Sequence, residues 1–102
     1  MAYAIEWAES AIAGVLEAVD YIARDSPSYA AALAVRAERA AASLNELPHR
    51  GRRVAEYNDP NVRELIVSNH RLIYRVDTDI VSIIAFVHTA RDLSRYVEES
   101  TQ

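Results

Sequence analysis

The stretch VRELIVSNHRLIYRVDTDIVSIIAFVH, residues 62–88, contains three consecutive runs that are typical of β-strands. Residues 62–68 are rich in β-branched side chains, and residues 70–76 alternate in polarity from one position to the next. Residues 80–88 are apolar on both faces, which predicts a central strand covered on two sides. Because residues 77–79 read as a tight hairpin turn, we predict an antiparallel meander over this stretch.

Two helices are predicted upstream of the meander. Over residues 8–25 the apolar side chains recur at three- and four-residue steps, which indicates an amphipathic helix. Ser26 can cap a second helix, and Pro27 suits its first turn. The second helix is predicted over the alanine-rich residues 28–48, with its end within residues 45–48. The connection is short, so the two helices should form an antiparallel hairpin.

Four shorter segments complete the predicted fold. Residues 3–7 alternate like a short strand, and residues 54–57 (VAEY) are a further short strand candidate. Residues 49–53 (HRGRR) read as a basic loop and residues 58–61 (NDPN) as a turn. The order is strand, helix, helix and then three to four strands. It predicts an α+β fold in which a helical hairpin packs against one face of an antiparallel meander.

Composition limits the classes to which this protein can belong. The chain has 102 residues, which predicts a single domain, with residues 94–102 as a mobile tail. It has no cysteine, which excludes disulfides and cysteine-bound zinc. It contains no apolar run of the roughly 20 residues that a membrane span needs. The first residues lack the features of a secretory signal, so we expect a cytoplasmic protein.

Charge is distributed unevenly along the chain. The formal net charge is −4, and all 11 basic residues are arginine. Residues 1–49 carry three arginines and seven acids, whereas residues 50–102 carry eight of each. Any anion-binding surface should therefore lie in the second half. A field of the whole protein that attracts nucleic acid is not expected at this net charge.

Strand alternation divides the polar residues of 70–76 between two faces. One face carries His70, Leu72, Tyr74 and Val76, and the other carries Arg71, Ile73, Arg75 and Asp77. The first set is the more apolar, so we expect it to meet the helices and the arginine face to be open or half-open. Arg63 and Arg91 can join that face and make a site for an anion or an acidic partner. In the alternative interpretation Arg71 and Arg75 pair with neighbouring carboxylates, namely Asp77, Asp79 or Glu64.

Histidine chemistry is the other candidate. His88 ends the last predicted strand, where it can serve as a general base or simply as a capping or half-buried residue. His49, His70 and His88 lack metal-ligand spacing, so we predict no metal site. The chain has two glycines and no phosphate-binding loop, and no serine lies in a nucleophile-type turn. We therefore assign no catalytic residue and no cofactor.

Four segments in order carry a family resemblance. They are YAIEWAESAIAGVLEAVDYIARDSP, LNELPHRGRRVAE, VRELIVSNHRLIYRV and IIAFVHTARDL. Together they resemble the RelE/ParE superfamily of bacterial toxins, and within it the ParE branch, over residues 3–93. The fold of that superfamily agrees with the α+β arrangement above. One departure is His70, which stands where the family commonly has tyrosine.

The resemblance implies a toxin of a type II toxin–antitoxin pair, neutralised by direct binding of a ParD-like antitoxin in a hetero-oligomer. The RelE branch cuts messenger RNA in the ribosome, and the ParE branch poisons DNA gyrase. Nuclease chemistry uses clusters of Lys and Arg with an acid or base. This chain has no Lys, and Ile66 or Val67 occupies the position of an active-site Arg. Only Arg91 and Tyr96 match the nuclease set, so we predict the gyrase-directed branch.

The resemblance also suggests which residues meet which partner. We expect gyrase to contact the basic set Arg63, Arg71, Arg75, His88 and Arg91. We expect the antitoxin to contact Tyr29, Leu33 and Tyr57, near the helical hairpin and the neighbouring sheet edge. The alternatives are a ribosome-dependent RNA endonuclease and an inactive relative that binds only its antitoxin.

Overall fold

Strand alternation and helical periodicity form the elements that the sequence predicts, with small shifts at their ends. The computed structural model describes residues 2–91 and residue 93. The elements in chain order are β1 (Ala4–Trp7), α1 (Glu9–Ala23), α2 (Pro27–Ala42), a 3-10 turn (Ser43–Asn45), β2 (Arg52–Arg53), β3 (Val62–Val67), β4 (His70–Val76) and β5 (Ile80–His88). The predicted mobile tail, residues 94–102, lies outside the described residues, as does Tyr96. Within the described part of the chain, neither helix has the length and apolarity to cross a membrane.

The five strands form one sheet in the order β1-β5-β4-β3-β2. β2 to β5 are antiparallel neighbours, which confirms the meander. β1 lies parallel to β5, with Ala4 opposite Ile80. Along the chain, the helical hairpin lies between β1 and the other four strands. The α+β fold is therefore confirmed, and the parallel pairing of the edge strand β1 was not predicted.

Both helices begin within one residue of the predicted start, and for α2 the reason is a local cap. The Ser26 hydroxyl accepts a hydrogen bond from the Tyr29 amide at 3.2 Å, and Pro27 opens α2. α2 ends earlier than predicted, at Ala42, and continues only as the 3-10 turn.

The predicted strand at residues 54–57 is wrong. The Tyr57 amide donates to the Val54 carbonyl at 3.1 Å, so the segment is a turn. Both side chains point to the same side and are buried, Val54 at 1% and Tyr57 at 9% exposed. The short strand lies instead inside the predicted basic loop, where Arg52 and Arg53 pair with β3.

Two apolar clusters cover the two faces of the sheet. On the inner face, Leu72, Tyr74 and Val76 pack with α1 and α2, as predicted. The outer face, which holds Arg71 and Arg75, is not open. Ile73 packs there against a second cluster composed of Val54, Tyr57, Val62, Ala85, Val87 and Leu93. The predicted coverage of β5 on both sides follows from these two clusters.

A β-bulge in β5 determines where that strand's end points. Ile73 pairs with Ala85 and Tyr74 pairs with Ile83, so Ile84 is the extra residue. The bulge reverses the alternation, and Phe86 consequently lies in the inner cluster. His88, two residues further on, is brought to the same side.

Candidate functional site

Four ionised side chains on the outer face form an arginine network: Arg52, Glu56, Glu64 and Arg71. Arg71 Nε donates to Glu64 Oε1 at 2.6 Å, and Arg52 Nε donates to Glu64 Oε2 at 2.7 Å. Arg71 also donates two hydrogen bonds to Glu56, from Nη1 to Oε2 at 3.1 Å and from Nη2 to Oε1 at 2.9 Å. The Glu64 side chain is 2% exposed and that of Arg71 is 12% exposed. The predicted carboxylate pairing of Arg71 is thus realised with Glu64.

Local structure explains why these four groups meet. The antiparallel register places Arg52 directly opposite Glu64, and alternation places Arg71 on the same face. The turn at residues 54–57 is anchored by its buried ends, which holds Glu56 over the sheet. Hydrogen bonding to Arg71 lowers the pKa of Glu56, and the bond to Glu56 raises the pKa of Arg71. Each ion therefore stabilises the charged form of the other.

The remaining predicted arginines do not gather with Arg71. Arg63 lies opposite Tyr74 in the register, so it is on the inner face and does not join the arginine face. Its guanidinium donates to the carbonyls of Gly51 at 3.0 Å and Pro60 at 3.1 Å, which joins two loops. Arg75 stays on the outer face, 4.0 Å from an Asp59 oxygen, and is half-exposed.

The other predicted basic groups line what we call the histidine cleft, a cavity of about 480 Å³ between α1 and the ends of β4 and β5. Its lining includes Glu17, Asp20, Tyr21, Arg24, His70, His88 and Arg91. Gly14 lines the cleft at a point where α1 approaches the sheet closely, and a Cβ there would overlap the Phe86 carbonyl oxygen. The alternation of β4 and the bulge of β5 bring His70 and His88 together there.

The two histidines are neighbours with different surroundings. Their ring centroids are 5.4 Å apart, and His70 also stacks on Phe86 at 4.9 Å. Burial, and then the nearby His88, lower the pKa of His70. Its Nδ1 is buried and has no hydrogen-bond partner among the described residues. His88 is exposed, and its Nδ1 accepts a hydrogen bond from the Ala90 amide at 3.1 Å.

An apolar hairpin groove lies on the opposite side of the helices. It is lined by Trp7, Ile12, Val15, Leu16, Ala34, Ala37 and Glu38 and has a volume of about 190 Å³. Leu16 is 58% exposed and Ile12 is 46% exposed. Both belong to the apolar face that predicts α1 as an amphipathic helix. The signal that sequence reasoning missed is that this face is wider than one sheet can cover.

The three residues predicted to contact an antitoxin have different environments. Tyr29 is 47% exposed at the start of α2. Leu33 is 1% exposed in the inner cluster, and Tyr57 packs in the outer cluster. Only Tyr29 of the three presents a surface to a partner without rearrangement.

The chemistry available differs between the sites. In the arginine network every carboxylate is already engaged by a guanidinium. The Tyr74 hydroxyl is buried and accepts a hydrogen bond from the Gly51 amide at 2.9 Å. Among residues 2–91 and 93, no three side chains of the kinds that bind metals come close enough to hold an ion. Exposed acid–base groups occur together in the histidine cleft.

Comparison with known proteins gives consistent results. Residues 5–93 match the family described as the ParE toxin of type II toxin–antitoxin system, parDE. The chain is 36% identical over 88 residues to Toxin RelE2 of Caulobacter vibrioides, which covers 85% of this chain and 96% of that protein. Two solved structures share the fold. One is the chromosomal ParDE system of P. aeruginosa, with a TM-score of 0.68, 18% identity, and coverage of 84% of this chain and 95% of that one. The other is the toxin–antitoxin complex RelBE2 of Mycobacterium tuberculosis, with a TM-score of 0.56, 21% identity, and coverage of 86% of this chain and 99% of that one.

Proposed function

The chain belongs to the ParE toxin family of type II toxin–antitoxin systems, and from this premise we propose that it arrests growth by binding DNA gyrase. In this proposal the toxin performs no bond-breaking chemistry of its own. A small cognate antitoxin neutralises it by direct binding in the cytoplasm. The structural relatives named ParDE and RelBE2 are toxin–antitoxin systems, which supports a partner of that kind.

The arginine network is the observation that carries the gyrase proposal. Cleavage of RNA on the sheet would need cations that are free to stabilise a developing phosphorane charge. Arg71 is instead held by two carboxylates, one of them 2% exposed. A phosphate that bound Arg71 would have to displace both and leave Glu64 with Arg52 alone. Displacing a buried ion partner carries a large cost, so this arrangement favours binding over catalysis on the outer face.

The same network refines which residues touch gyrase. Arg63 and Arg71 hold loops and strands through their guanidinium groups, so we assign them to shaping the surface. Arg75, His88 and Arg91 are at least partly exposed, and we assign them to direct contact. The contact would then centre on the end of β5 and the neighbouring outer face.

The antitoxin is proposed to cover the hairpin groove. Exposed apolar side chains in one groove, such as Ile12 and Leu16, suit an amphipathic helix of a partner. Tyr29 extends this surface at the start of α2. The exposed edge β1 lies beside the same helices and offers a place for an added strand.

RNA cleavage is the second candidate, and the histidine cleft favours it. Two imidazoles 5.4 Å apart can act as acid and base, with arginines nearby. A ribosome-dependent endonuclease of this kind predicts cut messenger RNA, and loss of cutting in Arg91→Ala. A third outcome, an inactive relative, predicts tight antitoxin binding without any growth arrest.

The deciding experiment combines purified toxin with gyrase and supercoiled or relaxed plasmid. The gyrase proposal predicts blocked supercoiling or a trapped cleavage complex, relieved by added antitoxin. Arg91→Ala should weaken the block, and Arg39→Ala is a matched control because Arg39 is exposed on α2. Normal supercoiling at excess toxin, together with cut transcripts on translating ribosomes, would favour the endonuclease.

A further inference from the structure

The histidine cleft holds charged groups on both of its walls. α1 contributes Glu17, Asp20, Tyr21 and Arg24, and the sheet side contributes His70, His88 and Arg91. Tyr21 is 71% exposed, and the Arg24 guanidinium carbon lies 5.9 Å from the centre of its ring. The cleft therefore combines an exposed aromatic ring, two guanidinium groups and two imidazoles in one cavity.

The charge of the cleft depends on its histidines. With both imidazoles neutral, the two arginines are balanced by the two carboxylates, Glu17 and Asp20. Protonating His70 adds a positive charge without adding any acid. The cleft therefore changes from neutral to cationic as the pH falls through the range in which histidine titrates. Its affinity for an anion should increase in the same direction.

The two histidines differ in the hydrogen bonds that their ring nitrogens make. His70 is held towards its neutral form by burial and by His88, which lowers its pKa, and its Nδ1 has no partner among the described residues. The Ala90 amide donates to His88 Nδ1, so the proton of the neutral ring is on Nε2. That Nε2–H remains a donor. A nearby negative charge would favour the protonated form of His70. His88 can bind the same charge as a neutral donor through Nε2–H, since its Nδ1 already accepts the Ala90 amide.

We propose that the histidine cleft binds a phosphate group of a nucleic-acid strand. A phosphate suits this cleft better than a carboxylate because imidazole and guanidinium donors come from both walls, and a tetrahedral group accepts bonds from several directions. The exposed ring of Tyr21, beside Arg24, provides a surface on which a neighbouring base can stack. This site goes beyond gyrase inhibition, and its test requires no gyrase.

The first test measures binding of a short, fluorescently labelled single-stranded DNA to the full-length protein by anisotropy. The phosphodiester charge is constant over this range, so any pH dependence arises in the protein. We expect binding about tenfold tighter near pH 6 than near pH 8, from net uptake of protons. His70→Gln should remove that gain, whereas His88→Gln and Arg24→Gln should weaken binding at both pH values. His49→Gln and Arg39→Gln should retain the gain, because His49 and Arg39 lie outside the cleft.

The second test uses the wild-type protein, so it is decisive even if a variant fails to fold. Histidine ring signals are titrated by NMR with and without inorganic sulfate, a tetrahedral anion whose charge is constant over this range. Sulfate should raise the apparent pKa of His70 and leave the ring signals of His49 unmoved. If sulfate also displaces the DNA, the cleft accepts free oxyanions as well as strands; if only DNA binds, base stacking is required, and Tyr21→Ala should abolish binding. In both cases the ring signals of His70 must respond to the bound ligand, and DNA binding that leaves them unmoved would contradict the phosphate site.

Three results would overturn the proposal. The first is equal DNA affinity near both pH values. The second is an equal loss of binding in His49→Gln and His88→Gln, which would indicate a diffuse surface effect. The third is competition by an acidic peptide as effective as competition by DNA of the same charge, which would mean that the cleft recognises carboxylates.

Discussion

Replacing Arg71 with methionine removes the cation that completes the arginine network. In the native protein the Glu64 carboxylate is 2% exposed and is shared between Arg71 at 2.6 Å and Arg52 at 2.7 Å. Arg71→Met retains most of the apolar stem and leaves this buried carboxylate with Arg52 alone. Removing one partner of a buried ion pair costs about 3–5 kcal/mol. Because Arg52 remains, we expect a loss near the lower end, about 3 kcal/mol of unfolding free energy.

Two companion variants test whether the buried Glu64 charge causes this loss of unfolding free energy. Glu56→Gln breaks only the outer bonds of Arg71, and the Glu56 side chain is 36% exposed. Its cost should be about 0.5–1 kcal/mol, as for other solvent-exposed pairs. In the double variant Arg71→Met/Glu64→Leu neither buried charge remains. Its stability should return to within about 1 kcal/mol of wild type, because an ion pair and an apolar pair of similar volume are often equivalent.

Urea unfolding followed by circular dichroism measures these differences directly. A loss of about 3 kcal/mol corresponds to a melting temperature lower by roughly 10–20 °C in a domain of this size. The reasoning is refuted if Arg71→Met costs no more than Glu56→Gln. It is also refuted if the double variant is no more stable than Arg71→Met alone, since buried Glu64 would then not be the cause.

Three further predictions concern other parts of the molecule. Burial keeps the folded pKa of His70 below its usual value of about 6.5, so the unfolded chain binds more protons. Stability should therefore fall as the pH drops through about 6.5. His70→Phe should reduce the dependence of the melting temperature on pH between about pH 7 and pH 5, whereas His49→Phe should leave that dependence unchanged. Leu16→Glu should weaken antitoxin binding, measured by calorimetry, at least about tenfold, and its free energy of unfolding should stay within about 0.5 kcal/mol of wild type. The control is Leu47→Glu, which is equally exposed but lies outside the groove and should leave antitoxin binding unchanged. Gly14→Ala should cost about 1–3 kcal/mol in urea unfolding, because a Cβ there overlaps the backbone of β5; an unchanged midpoint would mean that α1 can shift freely.

The sequence predicts the local elements well because their causes are local. Alternation defines β4 to the residue, a run that is apolar on both faces defines β5, and the Ser26–Pro27 pair fixes the start of α2. The inner face of β4 is also predictable, since its apolar residues must meet the apolar stripes of the helices.

Features set by distant contacts could not be predicted in this way. The bulge at Ile84 depends on the pairing of two strands, yet it decides that His88 points to the same side as His70. Glu56 lay in a segment read as a strand, so its ion pair with Arg71 could not be foreseen. The partner of β1 depends on how the helical hairpin returns the chain to the sheet.

Gyrase supercoiling with the Arg71→Met/Glu64→Leu variant tests the central claim most directly. If the toxin acts by binding and the outer-face network is structural, this variant should block gyrase within about twofold of wild type, a difference of about 0.4 kcal/mol. His88→Ala combined with Arg91→Ala should lose the block in the same assay. If Arg71→Met/Glu64→Leu folds and binds antitoxin but no longer blocks gyrase, the account is contradicted, because Arg71 would then contact the target itself.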